Sequence, residues 1–370
     1  MQKAGSRRRG NGAGAHHYDL HGLVMLTSDV AFKELEPFRA EAGRPPDIVV
    51  EVGRVGGAPR RRTSVDRSAA GVAYEEHLGR LGAAVAVEMG APTRVRATWL
   101  LARSAHVLYT NVVEAVIRYA LVAGGHLLVH GATIEIGGTG VMLTARTDTG
   151  KTGAVLTLAR DRGASFLSDD MTILAADGTA FSYPKPLTIS SHTLHAIRRS
   201  PLRTSQRGVL AVQSRIHSKG GRSLGQRLAE GNVPIVTINA LTQLVVPPPK
   251  HTIESLVTCP TQSSTTVQHL FLLERGPRRD EEVDRADAAE ILMENTEDAY
   301  QFPPSRELMR SFVIGGDDYA ALQLKERSLL AGALEGVRVR RLVRDDFSWA
   351  GDIAGLLAEP QDERSGLEGG

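Results

Sequence analysis

Eight consecutive residues near the middle of the chain have the types and order of a phosphate-binding loop. They are Ala145, Arg146, Thr147, Asp148, Thr149, Gly150, Lys151 and Thr152. In such a loop the backbone N–H groups surround the phosphates, the lysine contacts the outer phosphates and the threonine hydroxyl binds Mg²⁺. The segment therefore predicts a nucleoside triphosphate with Mg²⁺ as the first ligand to consider.

The flanking residues predict a strand, a helix and a second strand around this loop. An apolar run at 140–144 precedes it, and 152–162 has a helical apolar pattern that ends at Gly163, a typical C-cap. A second apolar run at 164–167 then leads into an acidic pair. Because a right-handed β-α-β crossover places both carboxyl ends at one sheet edge, we expect the pair to face the phosphates. The pair consists of Asp169 and Asp170.

The loop departs from the usual pattern at its first position, where Ala145 replaces glycine. Alanine is compatible with such a loop only if its φ is negative, since a left-handed conformation is strained for any residue with a Cβ. A slightly reshaped phosphate loop is our interpretation. A structural loop or a degenerate site is the alternative.

Length and composition indicate a globular protein with more than one structural unit. The chain has 370 residues, of which 42% are hydrophobic and 23% charged, and its net charge is +2. This balance predicts no general affinity for nucleic acid, and no apolar run reaches the ~20 residues that a membrane span requires. The only cysteine, Cys259, excludes an internal disulfide and fits a reducing cytoplasm. The N-terminus lacks the apolar segment of a signal peptide.

The pattern of apolar and turn residues predicts an α/β nucleotide-binding domain preceded by a small β-rich module. We expect a disordered tail (1–17), the N-terminal module (18–104), the nucleotide-binding domain (105–345) and a C-terminal extension with a disordered end (346–370). Predicted strands are 20–26, 48–52, 85–87, 127–129, 132–136, 233–238, 241–246 and 267–273, with a hairpin at 171–183. Predicted helices, besides 152–162, are 105–123 and 286–293.

An ordered set of short motifs resembles the catalytic domain of HPr kinase/phosphorylase, and more closely its bacterial HPr kinase-related branch. The motifs are His130-Gly131, the 145–152 loop, Arg162-Gly163, Ser168-Asp169-Asp170 and Tyr183-Pro184-Lys185-Pro186. The resemblance covers most of the chain, from about residue 18 to residue 331, and is specific around 127–186. It implies a P-loop fold similar in its core to phosphoenolpyruvate carboxykinase, and it is compatible with a homo-oligomer.

The resemblance also implies a role for each motif residue. Lys151 would contact the β- and γ-phosphates of ATP, and Thr152 would bind Mg²⁺. Asp169, near His130, would remove the proton of an acceptor hydroxyl, and Asp170 would help to bind the metal. Phosphoryl transfer depends mainly on positioning and charge neutralisation, which these residue types supply. The expected function is an ATP- and Mg²⁺-dependent kinase acting on a hydroxyl of a small molecule, peptide or protein.

Two departures from the family, Ala145 in the loop and a missing signature, leave alternatives open. The arginine-glycine signature that follows the loop region in true HPr kinases is not found, so HPr itself is not indicated as substrate. A catalytically inactive nucleotide-binding module, a nucleoside triphosphate hydrolase and a carboxykinase-like lyase are the alternatives. No base-reading motif distinguishes ATP from GTP.

A basic segment further along the chain is the candidate for acceptor binding. It contains Arg215, His217, Lys219 and Arg222 beside Gly220-Gly221. Such a loop could hold a phosphate or carboxylate group, although a solvated loop has the same composition.

Overall fold

The chain has a mixed α/β fold with two large sheets. The computed structural model describes residues 14–56, 63–68, 70–146, 149–188, 233–245, 247 and 250–358. The predicted acceptor loop, 215–222, lies outside the described residues, as do Thr147 and Asp148.

The N-terminal sheet occupies the first hundred residues and has the order β3-β1-β2-β4-β8-β7-β6-β5. Its strands are β1 (His16–Leu20), β2 (Val24–Ser28), β3 (Arg39–Ala40), β4 (Ile48–Val52), β5 (Thr63–Ser68), β6 (Gly71–Glu76), β7 (Ala84–Glu88) and β8 (Thr93–Ala97). The strand predicted at 48–52 is confirmed. The one predicted at 20–26 is wrong, because a turn at His21 and Gly22, both with positive φ, divides it into β1 and β2. β1 also begins at His16, inside the predicted tail.

A buried helical segment joins this sheet to the second one. It consists of α1 (Trp99–Arg103), α2 (Ala105–Leu108), a π-helical turn (Tyr109–Val113) and α3 (Glu114–Ala123). The helix predicted at 105–123 is therefore confirmed, with a wider turn in its middle.

The second sheet has the order β12-β10-β11-β17-β14-β13-β9, and β21 pairs with β17 and with β18. Its strands are β9 (His126–Val129), β10 (Ala132–Ile136), β11 (Thr139–Ala145), β12 (Ser165–Ser168), β13 (Thr172–Ala175), β14 (Thr179–Phe181), β17 (Ser264–Arg275), β18 (Arg279–Glu282) and β21 (Arg338–Arg344). Two short ladders lie apart from it: β15 (Leu187–Thr188) with β16 (Lys250–His251), and β19 (Val313–Ile314) with β20 (Asp317–Asp318). β11, β17 and β21 run parallel.

Helices pack against this sheet and against the N-terminal part of the chain. They are α4 (Lys151–Arg162), α5 (Ile235–Val245), α6 (Arg285–Ala299), α7 (Ser305–Met309), α8 (Tyr319–Ala333) and α9 (Trp349–Ala358), with short 3-10 turns at Lys33–Phe38 and Ile253–Ser255. One core contains Val155, Phe271 and Trp349 under α4 and α9, and another contains Leu292 and Leu330 under α6 and α8. No described helix is long and apolar enough to cross a membrane.

The strands predicted at 233–238 and 241–246 are wrong, because residues 235–245 form the helix α5. The β-branched residues of this segment favour strands locally. In the fold, Val236 and Ala240 lie one helical turn apart and are buried, and α5 packs against α1 and α2. Tertiary packing thus outweighs the local preference.

Candidate functional site

The 145–152 segment connects the end of β11 to the beginning of α4. Ala145 is the last residue of β11, and His21 is the only described non-glycine residue with positive φ, so the alanine meets the condition set by its Cβ. Thr149 donates to the Arg146 carbonyl through its backbone N (3.2 Å) and Oγ1 (2.7 Å), which closes a turn. Gly150, with φ 121°, then precedes Lys151.

Lys151 and Thr152 therefore lie in the first turn of α4. The first N–H groups of a helix have no intrahelical partners, and together with the helix dipole they favour an anion at this position. The helix ends as predicted, with Gly163 in the left-handed conformation.

The acidic pair at the end of β12 meets this helix N-terminus. β10 lies between β11 and β12 and is antiparallel to both, so β11 and β12 are parallel and their carboxyl ends share one edge. Thr152 Oγ1 donates a 2.8 Å hydrogen bond to Asp169 Oδ2. Lys151 Nζ lies 3.5 Å from the Asp170 carbonyl oxygen. The expected meeting of the loop and the two aspartates is thus observed.

Asp169 is a buried carboxylate with one unused oxygen. Its exposed fraction is 7%, and Oδ1 has no hydrogen-bond partner among the described residues. Burial raises the pKa of Asp169 to about 6, although Lys151 and the hydrogen bond from Thr152 act in the opposite direction. Burial likewise lowers the pKa of Lys151 below its ordinary value, against the effect of the nearby carboxylates.

Asp170 is held by two groups on opposite sides of its carboxylate. Lys185 Nζ lies 2.8 Å from Oδ2, and His130 Nε2 lies 3.5 Å from Oδ1. Partial burial would raise the pKa of Asp170, but the Lys185 ammonium outweighs it and holds the pKa well below its ordinary value. The side chain is 58% exposed, so this carboxylate is ionised and accessible.

Lys185 anchors this arrangement to the buried helix α3. Its ammonium is also 2.6 Å from Glu114 Oε1, and Tyr109 donates to the same oxygen at 3.2 Å. Burial lowers the pKa of Lys185, but Asp170 and Glu114 outweigh it and raise the pKa above its ordinary value. Lys185 also borders a groove of about 370 Å³ lined by Pro37, Thr252 and Gln262, among others.

His130 lies at the end of β9 with a defined orientation. Its backbone N donates to Thr296 Oγ1 at 2.9 Å, and its Nδ1 lies 3.1 Å from the Asn295 carbonyl. Because a carbonyl only accepts, Nδ1 carries a proton and the lone pair of Nε2 faces Asp170. Burial, together with Lys151, lowers the pKa of His130, so the imidazole is neutral at pH 7.

The donor set near Thr152 fits Mg²⁺ bound with a nucleotide. Among the described residues, no group of three or more His, Cys, Asp or Glu could hold a metal by itself. Nucleotide-bound Mg²⁺ needs only one or two protein oxygens, since phosphates and water supply the rest. The unused Asp169 Oδ1 beside Thr152 offers such an oxygen.

Sequence reasoning assigned no role to two residues of the site, Lys185 and Glu114. Lys185 stands between two prolines, and Glu114 is an acidic residue inside an otherwise apolar helix. Both were visible as anomalies, but their contact joins residues 71 positions apart.

Comparison with known proteins adds no assignment. No protein-family model matches the chain, and no curated protein sequence matches it at a significant level. The HPr-kinase type of this fold therefore stays a prediction.

Proposed function

We propose that this chain is an ATP- and Mg²⁺-dependent kinase that transfers the γ-phosphoryl group to a hydroxyl of a small molecule or peptide. The observation that carries the proposal is the 2.8 Å contact between Thr152 Oγ1 and Asp169 Oδ2, one residue from Lys151 and from the Asp170–His130 pair. Phosphoryl transfer needs three parts. They are a helix N-terminus that binds phosphate, a carboxylate next to the metal ion, and an accessible ionised carboxylate.

The contacts favour a division of roles that reverses the one expected from sequence. Asp169, bonded to the Thr152 hydroxyl, stands where a metal-binding carboxylate is required. Asp170 is 58% exposed and lies 3.5 Å from the buried His130 Nε2, so its carboxylate is suited to orient the acceptor hydroxyl and take its proton. Lys185 positions Asp170 by holding its second oxygen.

Positioning and charge account for most of the chemistry. Lys151 and the first N–H groups of α4 would hold the β- and γ-phosphates in line with the acceptor. Bound Mg²⁺ would neutralise negative charge on the transferring group. The hydroxyl proton leaves to Asp170 as the new P–O bond forms and the bond to the ADP oxygen breaks.

The test is a thermal-shift titration with Mg·ATP, Mg·GTP and each nucleotide without metal, because a ligand that binds only the folded state raises its stability. We expect a Mg²⁺-dependent stabilisation that Lys151→Ala removes. Arg162→Ala, at the exposed end of the same helix, is the control and should behave as wild type. An unchanged affinity in Lys151→Ala would refute phosphate binding at this loop.

Two aspartate variants separate the roles when the titration is combined with an acceptor screen that follows ADP formation. Asp170→Asn should keep Mg·ATP affinity but slow ADP release in an acceptor screen by ~10² or more. Asp169→Asn should lose the Mg²⁺-dependent part of the affinity. The opposite pattern would restore the assignment expected from sequence, and phosphate release without any acceptor would indicate a hydrolase.

A further inference from the structure

Two aromatic rings from the C-terminal part of the chain pack against the candidate phosphate loop. A Cβ added to Gly150 would lie 2.7 Å from Phe347 Cδ1 and 2.8 Å from Trp349 Cζ3. The rings contact each other edge to face, with centroids 5.7 Å apart. Trp349 is fully buried and donates from Nε1 to the Leu342 carbonyl at 3.2 Å. The buried Trp349 therefore fixes the position of the Phe347 ring.

Phe347 differs from Trp349 because much of its ring faces solvent. Its exposed fraction is 53%, and the Arg275 guanidinium carbon lies 4.3 Å from its ring centroid. Arg275 is the last residue of β17, the parallel neighbour of β11. An exposed aromatic ring and an exposed guanidinium thus lie together at the edge where the 145–152 segment begins.

The sheet order places this aromatic pair on the opposite side of the loop from the acidic pair. β12, which carries Asp169 and Asp170, lies on one side of β11, whereas β17 and β21 lie on the other. A nucleotide with its phosphates at the end of β11 would direct its γ-phosphate towards β12. Its nucleoside end would then reach β17 and the residues after β21.

We propose that Phe347 and Arg275 form a stacking surface for the base of the nucleotide, an inference that rests on the proposed nucleotide binding. Aromatic rings and guanidinium planes both stack on bases, and such stacking depends little on base identity. This explains how the chain can bind a nucleotide although its sequence contains no base-reading motif. Purine nucleotides should bind more tightly than pyrimidine nucleotides, since their stacking area is larger.

The experiment compares two ligands by isothermal titration calorimetry: Mg·ATP, which has a base, and Mg·tripolyphosphate, which has none. Phe347→Leu keeps an apolar side chain against Gly150 but removes the ring. We expect Phe347→Leu to weaken the binding of Mg·ATP about tenfold and to leave the affinity for Mg·tripolyphosphate unchanged. Arg275→Ala should act in the same direction, and Phe347→Trp should retain the wild-type affinity. Leu324→Ala, at another exposed apolar residue, is the control.

Each other result overturns the inference in a recognisable way. Equal losses for both ligands would mean that Phe347 only supports Gly150. Wild-type protein that binds both ligands with the same affinity would show that the base makes no contact, while phosphate binding would stand. Wild-type protein that binds neither ligand would overturn the proposed function together with this inference.

Discussion

Asp169 shows how the burial of a single carboxylate can lower stability. Its carboxylate is buried, one oxygen lacks a partner among the described residues, and its pKa is raised to about 6 from an ordinary 3.8. A folded-state pKa above the unfolded value means that folding favours the protonated form. The unfolding free energy therefore falls as pH rises from about 4 to 6. At neutral pH the full destabilisation from the ionised Asp169 is present.

We expect Asp169→Asn to be more stable than wild type at pH 7.5. The shift from 3.8 to about 6 corresponds to about 3 kcal/mol, which is an upper bound because Lys151 loses a favourable partner. The amide oxygen of asparagine can still accept from Thr152. The difference in unfolding free energy between the variant and wild type should be about half as large at pH 5. Urea denaturation without ligand at both pH values measures it, and a variant no more stable than wild type at pH 7.5 would contradict the raised pKa.

The residues that sequence could bring together are those linked by local geometry. Lys151, Thr152, Asp169 and Asp170 belong to one β-α-β unit, whose crossover rule predicts their proximity. Lys185 could not be placed in this way, since its partners lie on a helix before the unit and at the end of β12. Contacts of this kind depend on the packing of separate elements, which a single sequence does not specify.

At the scale of elements, α5 begins against a side chain from the N-terminal sheet. Glu76, fully buried at the end of β6, accepts from the backbone N–H groups of Val236 (3.2 Å) and Thr237 (2.7 Å). Tyr74 donates to the same carboxylate at 2.6 Å. Glu76 thus performs the function of an N-cap residue from a distant part of the chain.

Glu76→Gln should destabilise the protein by about 1–3 kcal/mol, because the amide NH₂ would face a backbone donor that it cannot satisfy. Glu36→Gln is the matched control, since Glu36 forms an exposed ion pair with Arg39 and such pairs contribute little. Chemical denaturation of both variants makes the comparison. Equal stability of the two variants would mean that the cap has no net effect.

The same element explains why two strands were predicted where a helix forms. Residues 233–246 are rich in Val, Ile and Thr, and this strand preference conceals the local start signal at Pro234. The side chain that accepts from the first N–H groups is Glu76, some 160 positions earlier. Elements whose signals are local, such as α4 with its Gly163 cap and the hairpin at Gly178, were predicted correctly.

At the scale of the whole molecule, the N-terminal sheet shares its core with the rest of the chain. One cluster contains Tyr18 and Val85 of that sheet, Val112 of the buried helix, and Tyr183 and Tyr300 of later elements. Polar contacts cross the same boundary: His21 Nε2 lies 2.8 Å from the Ser182 carbonyl, and His106 Nδ1 lies 2.6 Å from Glu34 Oε1. The N-terminal module and the candidate site are thus parts of one packed body.

We therefore expect a single cooperative unfolding transition. Differential scanning calorimetry should give a calorimetric enthalpy equal to the van't Hoff enthalpy, within about 10%. Mg·ATP should shift this entire transition upwards. An early transition that involves only the N-terminal sheet, and that the nucleotide leaves in place, would show that the shared core does not couple the two parts.

The contact of Phe347 and Trp349 with Gly150 has a consequence for biosynthesis. The loop leaves the ribosome roughly 200 residues before the rings that support it, an interval of ~10–40 s at ordinary rates of translation. During that time α4 lacks its packing against α9, so the nascent chain carries an incomplete loop. We expect the proposed nucleotide binding to be acquired only when synthesis has passed α9.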